Sequence, residues 1–99
     1  MGLIETRQTL HYEKWFAKLW GQNAKARITA RIRRLSLGNP GDVKPVGEGL
    51  SELRVDYGPG YRIYFVQRGD TLIVVLAGGD NRSQDQDIRE AKQLAANLV

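Results

Sequence analysis

Residues 50–82 read LSELRVDYGPGYRIYFVQRGDTLIVVLAGGDNR, and this stretch decides the fold. Three runs rich in β-branched and aromatic residues, at positions 50–57, 61–67 and 71–77, are separated by glycine-containing turns at hairpin spacing. This pattern predicts an antiparallel meander of three strands. The third run contains six successive apolar residues, so we expect an interior strand with little water on either face.

The first hairpin of the meander predicts two chemically different sheet faces. With residues 58–60 as the loop, Arg54 lies opposite Tyr64 and Asp56 lies opposite Arg62. Because successive side chains point to opposite faces, one face is entirely apolar and belongs to the core. The other face is expected to be an open surface that carries five polar groups: Glu52, Arg54, Asp56, Arg62 and Tyr64.

The composition fits one small domain that spans residues 1–99. The chain has no cysteine for a disulfide or a thiolate metal site, and it has neither a signal-like segment nor the roughly 20 apolar residues of a membrane span. We therefore expect a cytoplasmic protein with no cofactor and no membrane partner. The formal net charge is +4, but seven of the 15 basic residues lie between Lys14 and Arg34, and no acidic residue occurs from Lys14 to Gly41. This distribution favours a polyanion or an acidic protein as partner.

Two helices are predicted before the meander, after a short edge strand at residues 3–9. The apolar spacing of residues 12–20 indicates an amphipathic helix that ends at Gly21. Asn23 is expected to cap the second helix, which the glycine- and proline-containing segment 38–41 stops. The first apolar stripe consists of Tyr12, Trp15, Phe16, Leu19 and Trp20, and the second of Ala24, Ile28, Ile32 and Leu35.

A third helix is predicted after Arg82. Ser83 and Gln86 have the spacing of a capping box, and Asp85 and Asp87 lie where the helix dipole favours negative charge. The predicted order is therefore β-αα-βββ-α. This is an α+β domain in which a helical hairpin and a C-terminal helix pack against one side of a small, mainly antiparallel sheet. The last helix has a narrow apolar stripe: Ile88, Ala91, Ala95 and Leu98.

Four motifs, together with the order of elements, carry a family resemblance. They are Glu52-Leu53-Arg54, the hairpin Gly60-Tyr61-Arg62-Ile63-Tyr64, the apolar third strand, and the turn Gly79-Asp80-Asn81-Arg82. In these features nearly the whole chain resembles the RelE/ParE superfamily of type II toxin–antitoxin toxins, and more narrowly its HigB-like addiction module killer branch. The resemblance implies a RelE-like fold and a cognate antitoxin, such as a helix-turn-helix HigA-like protein, that masks the toxin. Contact with DNA is implied only through the antitoxin.

The resemblance also implies an activity. RelE-like members cleave mRNA in the ribosomal A site and inhibit translation, whereas ParE-like members poison DNA gyrase. In the cleaving members, basic residues on the second and third strands and after the last strand surround the scissile phosphate, at positions that correspond here to Arg54, Arg62 and Arg82. The expected partners are therefore mRNA and the ribosome. Further basic residues are expected to contact the RNA backbone: Lys25, Arg27, Arg31, Arg34 and Lys44.

The steps of RNA self-cleavage can be matched to the side chains available for them. The reaction needs deprotonation of the 2′-oxygen, stabilisation of the phosphorane and protonation of the leaving 5′-oxygen. Arginine suits the second task because its planar fork binds phosphate bidentately and keeps its charge. The candidate proton carriers are Glu52, Tyr64 and Asp80. Many cleaving relatives carry a tyrosine or histidine near the start of the last helix, where this chain has Gln84-Asp85-Gln86-Asp87.

Three interpretations therefore remain open from the sequence. The clustered arginines favour a ribosome-dependent endoribonuclease, an mRNA interferase. The missing tyrosine or histidine favours a gyrase-inhibiting toxin without nuclease activity. The third interpretation is a non-toxic nucleic-acid-binding domain or a decayed toxin. A purely structural alternative for Arg54 and Arg62 is cross-strand ion pairing with Asp56 on a solvated sheet face.

Overall fold

A computed structural model describes residues 4–98. The predicted first strand begins at residue 3, which lies outside the described residues. The elements are β1 (Glu5–Gln8), α1 (Leu10–Lys18), α2 (Gln22–Ser36), β2 (Val43–Gly47), β3 (Leu50–Val55), β4 (Tyr61–Arg68), β5 (Leu72–Asp80), a 3₁₀ turn (Asn81–Ser83) and α3 (Gln84–Ala96).

The five strands form one mixed sheet in the order β1-β5-β4-β3-β2. Strand β1 is an edge strand parallel to β5, and the other neighbours are antiparallel. The α+β class, the meander and the interior position of β5 are confirmed. The predicted element order was wrong by one strand, because β2 was missed. Its Pro45 and Gly47 are residues that strands avoid, and β2 tolerates them because it lies at the sheet edge and shifts register between them.

Helices cover both faces of the sheet, so the prediction that they pack on one side was wrong. The residues of α1 and α2 pack on a face that includes Leu53, Ile63 and Phe65. The opposite face, which includes Tyr64 and Val66, packs against α3 through Ala91 and neighbouring apolar residues. The protein is therefore a three-layer α/β/α sandwich with one core on each side of the sheet.

The first hairpin has the predicted faces in a different register. Arg54 pairs with Arg62 and Leu53 pairs with Ile63, whereas we predicted Arg54 opposite Tyr64. The observed loop, residues 56–60, is longer than the predicted loop. The error amounts to two residues, which is the period of side-chain alternation, so the side chains of β3 and β4 keep their predicted faces. Asp56, which we predicted opposite Arg62, lies in the loop instead.

The N-terminal helices differ from prediction at their ends. Thr9 caps α1 by accepting a hydrogen bond from the Tyr12 amide at 3.1 Å. Helix α1 ends at Lys18, and Trp20 beyond it is 90 % exposed rather than buried. Helix α2 begins at Gln22 without a side-chain cap, so the predicted Asn23 cap was wrong. The predicted inward residues of α2 are all buried: Ala24, Ile28, Ile32 and Leu35.

At the junction of β5 and α3 the capping side chain is Asp80, whereas the sequence predicted Ser83. The Asp80 carboxylate accepts a hydrogen bond from the Arg82 amide at 2.8 Å and caps the 3₁₀ turn. The predicted capping box was wrong, because the Ser83 hydroxyl donates to the Asp87 carboxylate at 2.6 Å instead. Across residues 4–98, none of the helices has the length and apolar character that a membrane span requires.

Candidate functional site

The candidate site lies where β3 and β4 leave their hairpin, on the sheet face that α3 covers. Arg54 and Arg62 are directly opposite each other in the β3–β4 ladder, and their side chains converge on Glu52. Arg54 Nε donates to Glu52 Oε1 at 3.1 Å, and an Arg62 terminal nitrogen donates to the same oxygen at 2.8 Å. Gln84 at the start of α3 donates to Glu52 Oε2 at 2.8 Å. We call these four residues the Glu52 cluster.

The Glu52 carboxylate is fully buried at the centre of this cluster, with a side-chain exposure of 0 %. Burial alone raises the pKa of this carboxyl, but the hydrogen bonds from Arg54 and Gln84 and the charge of Arg62 outweigh burial and lower the pKa below its usual value. The side chains of Arg54 and Arg62 are 36 % and 16 % exposed. The cluster therefore contains two cations and one anion, and the surplus positive charge faces solvent.

The turn after β5 closes the cluster at its open end. A second terminal nitrogen of Arg62 donates to Asn81 Oδ1 at 2.6 Å, while Arg62 Nε is buried without an acceptor among residues 4–98. Asn81 and Gln84 were missed as site residues, although both were visible in the sequence as amides next to the Gly79-Asp80 motif. The missing information was their distance in space from β3 and β4, because the contacts span 19 and 32 positions of the chain.

Two glycines let helices approach both faces of β5 beside the cluster. A Cβ atom on Gly78 would collide with the ring of Trp15 from α1, and a Cβ atom on Gly79 would collide with the Asp87 carboxylate from α3. Gly79 is the ladder partner of Arg62. The Gly78-Gly79 pair is therefore part of a strand, and its lack of side chains brings the start of α3 onto the Glu52 cluster.

Tyr64 lies two residues from Arg62 along β4 and points to the same face of the sheet, but its hydroxyl is buried. The residue is 0 % exposed, and the Oη atom has no hydrogen-bond partner within the described part of the chain. Burial, followed by the negative charges of Glu52 and Asp87, raises the pKa of the Tyr64 hydroxyl. The hydroxyl therefore stays protonated at neutral pH.

Arg82 and Asp80 form a separate pair beside the cluster. Asp80 accepts hydrogen bonds from the Arg82 side chain at 2.7 and 3.3 Å, and this pairing is the main reason that the pKa of Asp80 is lowered. The Arg82 side chain is 84 % exposed. Among residues 4–98 no hydrogen bond joins this pair to Arg54 or Glu52, so Arg82 lies next to the cluster in the chain without being bonded into it.

The five residues predicted to contact RNA backbone are divided between two sides of the molecule. Lys44 on β2 is the ladder partner of Glu52, so its exposed side chain shares the sheet face of the cluster. The other four lie on α2, which packs on the opposite face. Arg31 there has a structural role, because its two terminal nitrogens donate to the carbonyls of Arg54 and Pro40 at 2.7 and 3.2 Å.

The remaining basic residues of α2 stay near the surface. The Arg27 guanidinium stacks over the Tyr57 ring at 4.6 Å from its centroid, and the Lys25 amine lies 5.5 Å from the centroid of Phe16. Arg34 is exposed. This basic face of α2, defined as Lys25, Arg27, Arg33 and Arg34, is therefore separated from the Glu52 cluster by the thickness of the sheet.

No protein-family model matches the chain. An uncharacterized protein of Haemophilus influenzae strain Rd is 47 % identical to it over 95 residues, which are 96 % of each chain. The chain belongs to the family of that protein. Because that relative is uncharacterized, it assigns no activity to this chain.

The arrangement of the Glu52 cluster is suited to binding an anion. Arg54 uses only Nε on Glu52, and its two terminal nitrogens have no acceptor among residues 4–98. These nitrogens form a planar donor pair that matches two oxygens of a phosphate. The buried carboxylate fixes both guanidinium groups in place before any ligand arrives.

Proposed function

We propose that this chain is the toxin of a type II toxin–antitoxin system, a HigB-like member of the RelE/ParE superfamily, and that it cleaves mRNA on the ribosome. The observation that most supports this proposal is the pair of opposed arginines around the buried Glu52 carboxylate. The meander with a helical hairpin before it and one helix after it is compatible with a RelE-like architecture.

In this proposal Arg54 and Arg62 bind the scissile phosphate. Cleavage by the neighbouring 2′-oxygen adds negative charge to the phosphate oxygens, so fixed cationic donors stabilise the phosphorane more than the ground state. Loss of one such donor costs about 100-fold or more in rate in well-organised sites. Lys44 on the same sheet face and exposed Arg82 hold the flanking RNA backbone.

Glu52 has a positioning role in this mechanism. Its carboxylate is ionised, because its pKa is lowered, and it already accepts three hydrogen bonds. A carboxylate in that state is a weak base. It instead orders two long side chains that would otherwise lose rotamer entropy when they bind phosphate.

In this proposal none of the three candidate side chains, Glu52, Asp80 and Tyr64, transfers the protons of the reaction. Asp80 is tied to Arg82, and the raised pKa of Tyr64 keeps its buried hydroxyl protonated. The proposal therefore assigns charge stabilisation to the toxin. Alignment of the 2′-oxygen and transfer of protons are assigned to the ribosome, the bound mRNA and solvent.

We further propose that a cognate antitoxin, of the HigA-like helix-turn-helix kind, covers this toxin and carries any contact with DNA. The basic face of α2 is supported as its docking region by charge, since no acidic residue occurs between Lys14 and Gly41. Trp20, which lies two residues before α2 and is 90 % exposed, offers an apolar anchor.

Mapping of mRNA 5′ ends by primer extension tests the nuclease proposal. A reporter message and a translation-blocked copy are followed after induction of wild type, Arg62→Ala or Arg68→Ala. Arg68 is the matched control, because it is exposed at the opposite end of the same strand. We expect cuts only in the translated message, retained with Arg68→Ala and reduced about 100-fold or more with Arg62→Ala. Cuts in the untranslated copy, or full cutting by Arg62→Ala, would contradict the proposal.

A gyrase-inhibiting toxin of the ParE-like kind is the second candidate. The observation that favours it is the state of the predicted proton carriers: Glu52 and Tyr64 are buried, and Asp80 is paired. A toxin that acts only by binding needs no proton carrier. Filamentation and DNA damage after induction, with intact mRNA, would establish this second candidate and exclude the first.

A further inference from the structure

A polar pocket of about 380 Å³ opens beside the Glu52 cluster, between the turn after β5 and the first turns of α3. Its lining includes two amides that also belong to the network around Glu52, Asn81 and Gln84. The exposed cations Arg82 and Arg89 and the Asp85 carboxylate complete the charged part of the lining. The volume is within the range of small-ligand sites.

The two amides are held in fixed orientations by partners that have only one hydrogen-bonding sense. Arg62 can only donate, so the oxygen of Asn81 must face Arg62 and the NH₂ group of Asn81 is turned away from it. Glu52 is an ionised carboxylate that can only accept, so the NH₂ group of Gln84 must face Glu52. The Gln84 oxygen then points away from Glu52. Among residues 4–98, nothing accepts from Asn81 Nδ2 or donates to Gln84 Oε1.

Two residues that line the pocket therefore keep a free donor, Asn81 Nδ2, and a free acceptor, Gln84 Oε1, while their bonds to Arg62 and Glu52 hold both amides in place. A nucleobase edge presents the complementary pattern, one acceptor next to one donor, as adenine does with N7 and N6. A phosphodiester group has no donor for the Gln84 oxygen, whereas the exocyclic amine of a base has one, and the Asp85 carboxylate offsets part of the positive charge of Arg82 and Arg89. The lining therefore suits a base better than a phosphate, and the phosphate site lies next to it at Arg54 and Arg62.

We propose that this pocket is a nucleobase-binding subsite, in which Asn81 and Gln84 read one base of an RNA. If the pocket selects the base beside the cut, that role rests on the proposed nuclease function. Binding of a base to the pocket does not rest on that function, because the pocket and its amides are independent of any cleavage step.

The test is a titration of ¹⁵N-labelled protein with neutral ribonucleosides, followed by NMR of the side-chain amides. Adenosine, cytidine and uridine carry no phosphate, so ionic attraction to the arginines cannot account for their binding; guanine is supplied as guanosine monophosphate, with inorganic phosphate as its control. We expect the Asn81 NH₂ resonances to shift with at least one base and not with ribose or phosphate. Asn81→Asp keeps the oxygen that Arg62 needs and removes the donor, so it should weaken that binding about tenfold. Asn97→Asp, the same change at the exposed end of α3, should bind as the wild type does.

The outcomes separate this inference from the nuclease proposal. Nucleoside binding at Asn81 without any mRNA cuts would support the subsite and overturn the nuclease. Cuts without nucleoside binding, and with the same base preference in Asn81→Asp as in wild type, would overturn the subsite and leave the nuclease standing. Equal shifts with ribose and with every base would also overturn it, because the pocket would then not read the base.

Discussion

The two faces of the sheet bury their side chains by different chemistry. The face under α1 and α2 is apolar along the hairpin, where Leu53 and Ile63 are completely buried. The face under α3 is apolar at one end only, and at the hairpin end it buries an ionised Glu52 between two arginines. A buried ion pair is weak evidence for stability, since desolvation offsets most of its attraction. Both faces contribute an apolar core, but only the hairpin end of the second face buries charge. We propose that this charged end binds a ligand and adds little to stability.

The largest expected effect on stability comes from the apolar face. Leu53→Ala removes a completely buried side chain and should lower the free energy of unfolding by about 3 kcal/mol. The loss should be nearly the same at pH 4 and pH 7, because the apolar cluster around Leu53 contains no carboxylate and no histidine. Urea unfolding at both pH values measures it. A loss under about 1 kcal/mol would show that this face is not the main core.

Alanine substitutions at the two adjacent glycines of β5 compare how tightly the helices pack on the two faces of the sheet. Gly78→Ala pushes against the Trp15 ring, which is packed against Tyr12 and Tyr61, and should cost about 2 kcal/mol. Gly79→Ala meets the end of the Asp87 side chain, which can rotate away, so it should cost less. Thermal unfolding of both variants ranks them. The reverse order would mean that α3 is packed more rigidly on the sheet than the helical hairpin.

Removal of the charge at Glu52 should have a moderate, pH-dependent effect. Glu52→Gln keeps the shape and one acceptor oxygen, and both arginines remain partly exposed, so it should lower stability by about 1–2 kcal/mol at pH 7. The folded-state pKa of Glu52 is lowered, so the carboxylate contributes stability above its unfolded pKa and loses it as the pH falls through the folded pKa. The difference between wild type and variant should therefore shrink on acidification below about pH 4. A difference that grows instead would contradict the assigned direction.

The smallest effect is expected at Asp87. Burial is the main cause of its raised pKa, so the folded state prefers the protonated carboxyl and loses stability as the pH rises through that pKa. Asp87→Asn mimics the protonated form and can still accept from Ser83. We expect a slightly higher melting temperature at pH 7, with the gain disappearing in acid. A clear loss at pH 7 would show that the ionised carboxylate is needed near Ser83.

Much of the chemical difference between the two faces of the sheet could be predicted from the sequence. The alternation of β3 and β4 placed Arg54 and Arg62 on one face even though the predicted register was wrong, because a shift of two residues preserves the faces. The interior β5 was visible in its apolar run. What alternation cannot show is which helix covers a face, so the burial of Glu52 and Tyr64 under α3 was not foreseen.

The remaining errors have local causes. Strand β2 carries Pro45 and Gly47, which are strand-breaking signals except at an edge. Trp20 continued a helical stripe past the point where α1 ends at Lys18. The roles of Asn81 and Gln84 depend on contacts with distant strands, which no local pattern encodes.

The central claim is that the Glu52 cluster serves binding of RNA phosphate and not stability. The most direct test replaces its three charges with apolar groups of similar size, Glu52→Leu with Arg54→Met and Arg62→Met, and measures melting temperature and growth arrest on induction together. We predict a folded protein at least as stable as wild type, since apolar replacement of a buried charge triad is often neutral or stabilising, and complete loss of growth arrest. A sharply lower melting temperature, or full growth arrest by the folded triple variant, would contradict the claim.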